Sequence, residues 1–269
     1  MKITTIVDNT ASGRMWAEHG EAILIETENK KILFDTGQTP EVLRYNMASL
    51  GLAPEEIDAV VLSHGHYDHT GGLPWLLKAN SSLEIYGHPE VFSEKYSEKE
   101  KRYIGMPERG YEVRERFHEV SRPYEIDKGV TVLGEIPVLD KEEWENGHRG
   151  MLLKEGDEYI PDPLKDDSAI TLDIGEGVVL ITGCSHSGIT NTIEYAEKVG
   201  GKDVMLVLGG LHLSNAPLKL IDRTVDYMKE KRFMIMPGHC TGFNAMNRIK
   251  NGLGYRMRPN FAGNTLMPH

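Results

Sequence analysis

Short apolar runs and amphipathic stretches alternate along this chain, and glycine or a polar turn separates most of them. KITTIV (Lys2–Val7), AILIE (Ala22–Glu26) and KILF (Lys31–Phe34) have the length and side-chain content of strands. Pro40–Leu50 reads as a helix, with Thr39 as its N-cap and Gly51 just past its end. DAVVLS (Asp58–Ser63) suits a buried strand, and Thr70–Ala79 a helix with Pro74 tolerated in its first turn.

From about residue 88 to 150 the texture changes to dense charge and tyrosine, as in EVFSEKYSEKEKRYIGMPERGYEVRERF, with alternation at Phe117–Val120 and Val130–Leu133. This segment is expected to be an insertion that covers or edges a site, or else an ordinary solvated subdomain. Strand and helix then return. Ser168–Asp173 and Val178–Thr182 are strands joined by the hairpin turn IGEG, and Gly188–Val199 is a helix. Val204–Leu208 is a buried strand, Pro217–Lys231 an amphipathic helix, and Phe233–Met236 a last strand. Both halves repeat one theme, an apolar strand that ends in a Gly/His turn and is followed by a helix. One domain spanning 1–269 is expected.

Composition narrows the class. At 269 residues with 39% apolar side chains the chain can bury a sizeable core. A net charge of −11 argues against a general nucleic-acid binder, but not against an anionic substrate, since bound divalent cations would reverse the local field. No run is long enough to span a membrane, and the N-terminus lacks the apolar core of a signal peptide. Cys184 and Cys240 make a poor disulfide framework, which favours a reducing cytoplasm.

The chemistry concentrates in LSHGHYDHTGG, where His64, His66, Asp68 and His69 follow the end of the Asp58–Ser63 strand. In extended backbone, positions two apart face the same way, so His64, His66 and Asp68 are expected on one rim with His69 turned across it. Imidazole and carboxylate suit zinc, iron, manganese or cobalt. Gly65 lets the chain bend between two ligands, and Gly71 and Gly72 let the next helix approach closely.

The motif H-x-H-x-D-H resembles the signature of the metallo-β-lactamase superfamily. KILFDTG (Asp35), GCSHSG (His186) and MPGHCTG (His239) extend the resemblance over about residues 1–87 and 165–269. The resemblance implies an α/β fold, the four-layer αβ/βα sandwich, with metals at one edge. It implies that His64, His66 and His186 hold a first metal and that Asp68, His69 and His239 hold a second. Asp35 would orient a ligand from behind. Many relatives carry an aspartate that bridges the metals, where this chain has Cys184. AEHGEAILIE, LSHGHYDHTGGL, GCSHSGITNTI, VLGGLHL and GHCTG further resemble the subgroup related to archaeal 7,8-dihydropterin-6-methyl-4-(β-D-ribofuranosyl)aminobenzene-5′-phosphate synthase. That subgroup implies a phosphate-bearing substrate.

Other residues stay open at this point. His212 is expected near the rim, as substrate contact, proton donor, further ligand or structural hydrogen-bonder. His19 could reach the same edge. Cys184 and Cys240 could be ligands or, more simply, packing behind the ligands. His88, His118 and His148 read as surface residues and His269 as terminal. Lys165–Ser168 reads as a surface turn from which Asp167 or Ser168 could donate to a ligand.

The expected cofactor is one or two divalent ions, zinc first, with iron or manganese as alternatives. The first expectation for function is hydrolysis of a phosphoester or related small ester through a metal-bound hydroxide, with Asp68 and His212 as catalytic candidates. The alternatives are transfer from a dihydropterin diphosphate to an aryl ribose phosphate on the same site, and a non-catalytic or redox di-metal protein. No G-x-S-x-G or Ser/His/Asp pattern is present, so a side-chain nucleophile is not expected.

Overall fold

The computed structural model describes residues 1–107 and 111–268. Strands β1 (Lys2–Val7), β2 (Ala22–Glu26) and β3 (Lys31–Phe34) form an antiparallel meander. Helix α1 (Pro40–Ser49) crosses to β4 (Ala59–Val61), parallel to β3. Two short helices, α2 (Tyr67–Thr70) and α3 (Leu73–Ala79), lead to β5 (Glu84–Gly87), parallel to β4. Next come β6 (Lys95–Ser97), α4 (Tyr111–Glu115), β7 (Phe117–Glu119), β8 (Tyr124–Asp127) and β9 (Val130–Val132). Helix α5 (Lys141–Gly147) precedes the hairpin β10 (Met151–Glu155) and β11 (Glu158–Pro161). The chain closes with β12 (Ala169–Asp173), β13 (Val178–Thr182), α6 (Ile189–Gly200), β14 (Val204–Gly210), α7 (Leu218–Glu230), β15 (Met234–Gly238), α8 (Phe243–Leu253) and β16 (Thr265–Leu266).

The strands assemble into a seven-stranded sheet ordered β16-β1-β2-β3-β4-β5-β7, a six-stranded sheet ordered β15-β14-β13-β12-β9-β8, and a small sheet ordered β11-β10-β6. Alternation along each strand explains the layering. Ile23, Ile25 and Phe34 face Val132, Ile170, Val179 and Ile181 in the core between the two large sheets. Leu24, Leu33 and Val60 face the other way and pack on Leu43, Met47, Leu73 and Leu76 of α1 and α3. On the far side, Leu180 and Val207 meet Ile193, Val225 and Ile249 of α6, α7 and α8. Each such fully buried aliphatic side chain stabilises the fold by about 1.5–3 kcal/mol. The result is the expected four-layer αβ/βα sandwich.

Three differences from the sequence reading have physical causes. The expected 70–79 helix is broken, because Gly71 and Gly72 press against the loop after β3. A Cβ on Gly71 would lie 1.9 Å from the Gln38 carbonyl oxygen, and one on Gly72 2.3 Å from that of Thr36. The 88–150 segment is not one insertion. β7 extends the first sheet beside β5, and β8 and β9 extend the second beside β12. Only β6, with the β10–β11 hairpin, forms a separate sheet. Finally, Asp166, Asp167 and Ser168 are buried rather than a surface turn, and His88 is buried as well. His88 caps a single turn of helix by accepting from the Glu90 amide. His118 is half exposed, His148 is partly buried against Trp144, and His269 lies outside the described residues.

Candidate metal centre

The carboxyl ends of β3, β4, β13, β14 and β15 open on one edge of the sandwich. The turns that leave them carry Asp35, His64, Cys184, His186, His212 and His239. Four residues here hold positive φ without being glycine: Asp35 (60°), Ser185 (58°), His212 (47°) and His239 (43°). Such backbone is costly away from glycine and collects at functional sites. The turns also meet closely, since a Cβ on Gly183 would sit 2.2 Å from Ser63 Oγ.

Hydrogen bonds set the ring tautomers. Ser63 donates from its amide to Asp35 Oδ1 at 2.7 Å and from its hydroxyl to Asp35 Oδ2 at 2.6 Å. The hydroxyl oxygen is left to accept from His64 Nδ1 at 2.8 Å. His69 Nδ1 donates to Asp35 Oδ2 at 2.7 Å, His186 Nδ1 to the Gly147 carbonyl at 2.7 Å, and His239 Nδ1 to Asn9 Oδ1 at 2.9 Å. With Nδ1 carrying the proton, Nε2 of His64, His186 and His239 presents a lone pair, the arrangement that metal-ligating histidines use, and His69 presents one once its second proton leaves.

Two clusters result. The Nε2 atoms of His64, His66 and His186 are buried and have no hydrogen-bond partner. The three side chains offer donor atoms within 4.8 Å of one another. Three lone pairs buried without a proton donor are unfavourable for a protein alone, and they fit a divalent cation. Burial pushes His64 and His186 well below the ordinary histidine range and His66 down to about 3, so all three rings are neutral and ready to bind.

The second cluster surrounds Asp68. Its Oδ2 lies 3.1 Å from His19 Nε2, 3.5 Å from His239 Nε2 and 3.8 Å from His69 Nε2. His69 Nε2 and His239 Nε2 are 3.1 Å apart. Burial disfavours charge on His69, but Asp35 and Asp68 outweigh it and raise the ring to about 9. The excess negative charge that holds a proton there is the charge a cation would meet. For His239 burial dominates and lowers the ring to about 4.

The structure therefore brings His64, His66 and His186 together, and Asp68, His69 and His239 together. The expected common rim for His64, His66 and Asp68 does not form. The chain turns helical at Tyr67, which swings Asp68 to the second cluster. His19 reaches that cluster with its side chain 53% exposed, at the solvent rim. His212 lies beside the first cluster, with ring centroids 4.1 Å from His186 and an unpartnered Nδ1. Cys184 was expected behind the ligands; its Sγ is 3.3 Å from His69 Nε2, between the clusters. Cys240 accepts from the His212 amide at 3.2 Å.

Sequence reasoning missed Asp8 and Asn9. Asp8 accepts from the His239 amide at 3.0 Å, and burial raises its carboxyl to about 6. Asn9 bridges His239 and His19. The available signal was an acid–amide pair at the very end of β1.

A four-layer sandwich with a histidine-rich edge defines a class of metal-dependent proteins, and comparison places the chain within it. It belongs to the metallo-β-lactamase superfamily, whose family model matches residues 16–207. That span holds every residue above from His19 to His186, while His212 and His239 lie beyond it. Among curated sequences, the chain is 32% identical to 7,8-dihydropterin-6-methyl-4-(beta-D-ribofuranosyl)-aminobenzene-5'-phosphate synthase of Methanocaldococcus jannaschii, over 92% of this chain and 90% of that one. It is 39% identical to the uncharacterized protein MJ0448 of the same organism, over 92% and 93%. Among solved structures, it superposes on Tm1679, described as a metal-dependent hydrolase of the beta-lactamase superfamily, with a TM-score of 0.85 and 28% identity over 99% and 98% of the two chains. Among the described residues, no helix is long and apolar enough to cross a membrane.

Proposed function

We propose that the chain is a metal-dependent hydrolase of a phosphoester or related small ester. The observation that carries the reading is the convergence of three buried, unpartnered imidazole nitrogens, from His64, His66 and His186. These residues would hold a first divalent ion, and Asp68, His69 and His239, with Cys184 in reach, a second. The mix of imidazole, carboxylate and thiol suits zinc, with iron or manganese as alternatives. Bound there, the ions would supply Lewis acidity toward an ester oxygen and a lowered pKa for water.

The chain's own residues do the rest. Asp35 and Gly147 keep the imidazoles in the tautomer that points Nε2 inward. His19 holds Asp68 from the rim. His212, partly exposed beside His186, is placed to donate a proton to a leaving oxygen. The net charge of −11 makes an anionic substrate depend on the bound cations.

The synthase relative supports a second reading, in which the same centre assists departure of diphosphate from a dihydropterin donor and an aryl ribose phosphate replaces water as acceptor. One experiment separates them. Protein reconstituted with zinc, iron or manganese is given a panel of phosphoesters singly, then the donor and acceptor together. Release of product from a single ester, lost in the metal-free protein, supports hydrolysis. Silence until both partners are present overturns it in favour of transfer.

A further inference from the structure

Among the described residues Lys95 is the one lysine in the deep interior, 1% exposed, and its partners lead straight to the ligand loops. Its Nζ lies 2.9 Å from Asp162 Oδ2 and 2.8 Å from Asp166 Oδ1. The other oxygen of Asp166 accepts from the Gly65 amide at 2.8 Å, and Gly65 stands between His64 and His66. The next residue repeats the arrangement on the other loop. Asp167 Oδ2 accepts from the Ser187 amide at 2.8 Å, one position past His186. Ser168 then donates its amide to the Ser63 carbonyl, one position before His64, at 2.9 Å.

We propose that Asp166 and Asp167 are positioning residues which together set the three imidazoles of the first cluster, and that Lys95 and the small sheet exist to hold them in register. The proposal rests on the metal-centre reading above. Three observations carry it. The loop is gripped on its other side as well, since a Cβ on Gly65 would lie 2.2 Å from the Val91 carbonyl oxygen. Gly65 can therefore move neither toward Val91 nor away from Asp166. The small sheet also touches the loop through its backbone: Ile104 donates to the Lys95 carbonyl at 2.9 Å and Tyr67 to the Ile104 carbonyl at 3.0 Å. Lastly, a buried ammonium with two carboxylates is a poor way to fill a core, because well-packed apolar residues do that as well or better. What the ions supply is direction, as two aspartates adjacent in sequence fix amides on turns 101 and 20 residues away.

The test compares three aspartates in the full-length protein. Zinc affinity is read by competition with a chromophoric chelator, and the melting temperature of the metal-free protein is read separately. Asp166→Ala and Asp167→Ala should each weaken zinc binding by about 10–100-fold, as loss of a partner behind a ligand does. Asp166→Asn keeps an acceptor for Gly65 and should retain most of the affinity. Asp162 accepts from Lys95 and from the Leu164 amide and bonds neither ligand loop; Asp162→Asn keeps an acceptor for Leu164 and should lower the melting temperature without a comparable loss of affinity. Wild-type affinity in both alanine variants would overturn the proposal, and so would an equal loss in Asp162→Asn. Should Asp166→Ala fail to fold, Asp167→Ala decides by the same criteria. If the wild-type protein itself binds no zinc, the metal-centre reading has failed, a result distinct from variants that bind as well as wild type.

Discussion

Cys184 Sγ lies 3.3 Å from His69 Nε2 and within 4.8 Å of donor atoms on His64, His186, His212, His239 and Cys240. The thiol therefore occupies the seam between the two clusters, where many relatives have a bridging carboxylate. Without a cation, burial pushes this thiol well up and keeps it protonated. A divalent ion inverts that logic and takes the thiolate as ligand. Protein loaded with cobalt(II) should therefore show a sulfur-to-metal charge-transfer band in the near ultraviolet. Cys184→Ser should abolish the band while Cys240→Ser keeps it. A wild-type cobalt spectrum with no such band would place the thiol outside the coordination sphere.

Metal should also stabilise the fold. An ion present at about 100 times its Kd contributes about 2.7 kcal/mol, or about 5–10 °C in melting temperature for a chain of this size. Chelation should lower the melting temperature by that order. His186→Ala removes one of three nitrogens from the first cluster. It should make the melting temperature nearly insensitive to the chelator and cut turnover by about a hundredfold or more, the loss of several kcal/mol of transition-state stabilisation. Full metal occupancy in that variant would remove His186 from the ligand set.

Much of this was legible in the sequence, for a local reason. Strands such as β1, β2 and β3 are almost wholly buried runs of four to six residues bounded by polar or glycine turns, and the candidate ligands sit in turns directly after apolar runs. Local order and chemistry there coincide. The burial of Lys95, Asp162, Asp166 and Asp167 was not legible, because charged residues default to the surface and their long-range partners lie 20 to 101 positions away. The 88–150 region was legible only in part. The alternation at Phe117–Val120 and Val130–Leu133 marks β7 and β9, but the sheet each joins is set by pairing with β5 and with β12, and β6 has only three residues. Helix α8 was missed because FNAMNRIKNGL keeps only Ala245, Ile249 and Leu253 buried, a stripe thin enough to read as a polar loop.

Glu143 gives a pH prediction away from the centre. It is buried, accepts from the amide and hydroxyl of Thr190 and from Thr224 Oγ1, and burial raises its carboxyl above the ordinary glutamate range despite those bonds. The folded state thus binds this proton more tightly than the unfolded chain does. The group's contribution to stability is greatest below the unfolded value and declines as pH rises toward the folded one, by at most about 1.4 kcal/mol per unit. Glu143→Gln does not titrate. Its stability relative to wild type should improve as pH rises from 4 upward, measured by denaturant unfolding at each pH. A difference constant across that range would contradict the assignment.

Asp35 offers the sharpest test of the second cluster. Its backbone, at φ 60°, is one asparagine adopts readily, so Asp35→Asn leaves the turn intact. The change acts on one atom. Asp35 Oδ2 accepts from both Ser63 Oγ and His69 Nδ1, and an amide nitrogen there would confront two donors. His69 would relieve the conflict by giving up its Nδ1 proton and keeping the one on Nε2, so that no lone pair faces the centre. The variant should lose affinity for a second metal equivalent by about 10–100-fold while the first site still fills. It should also alter the protons released on metal binding. In the wild-type protein Asp35 and Asp68 keep His69 protonated up to about 9, so a metal that displaces this proton at neutral pH releases it to solvent. Titration calorimetry in buffers of differing ionisation enthalpy counts those protons. The count should fall in Asp35→Asn, and an unchanged count with unchanged affinity would show that His69 is not a ligand.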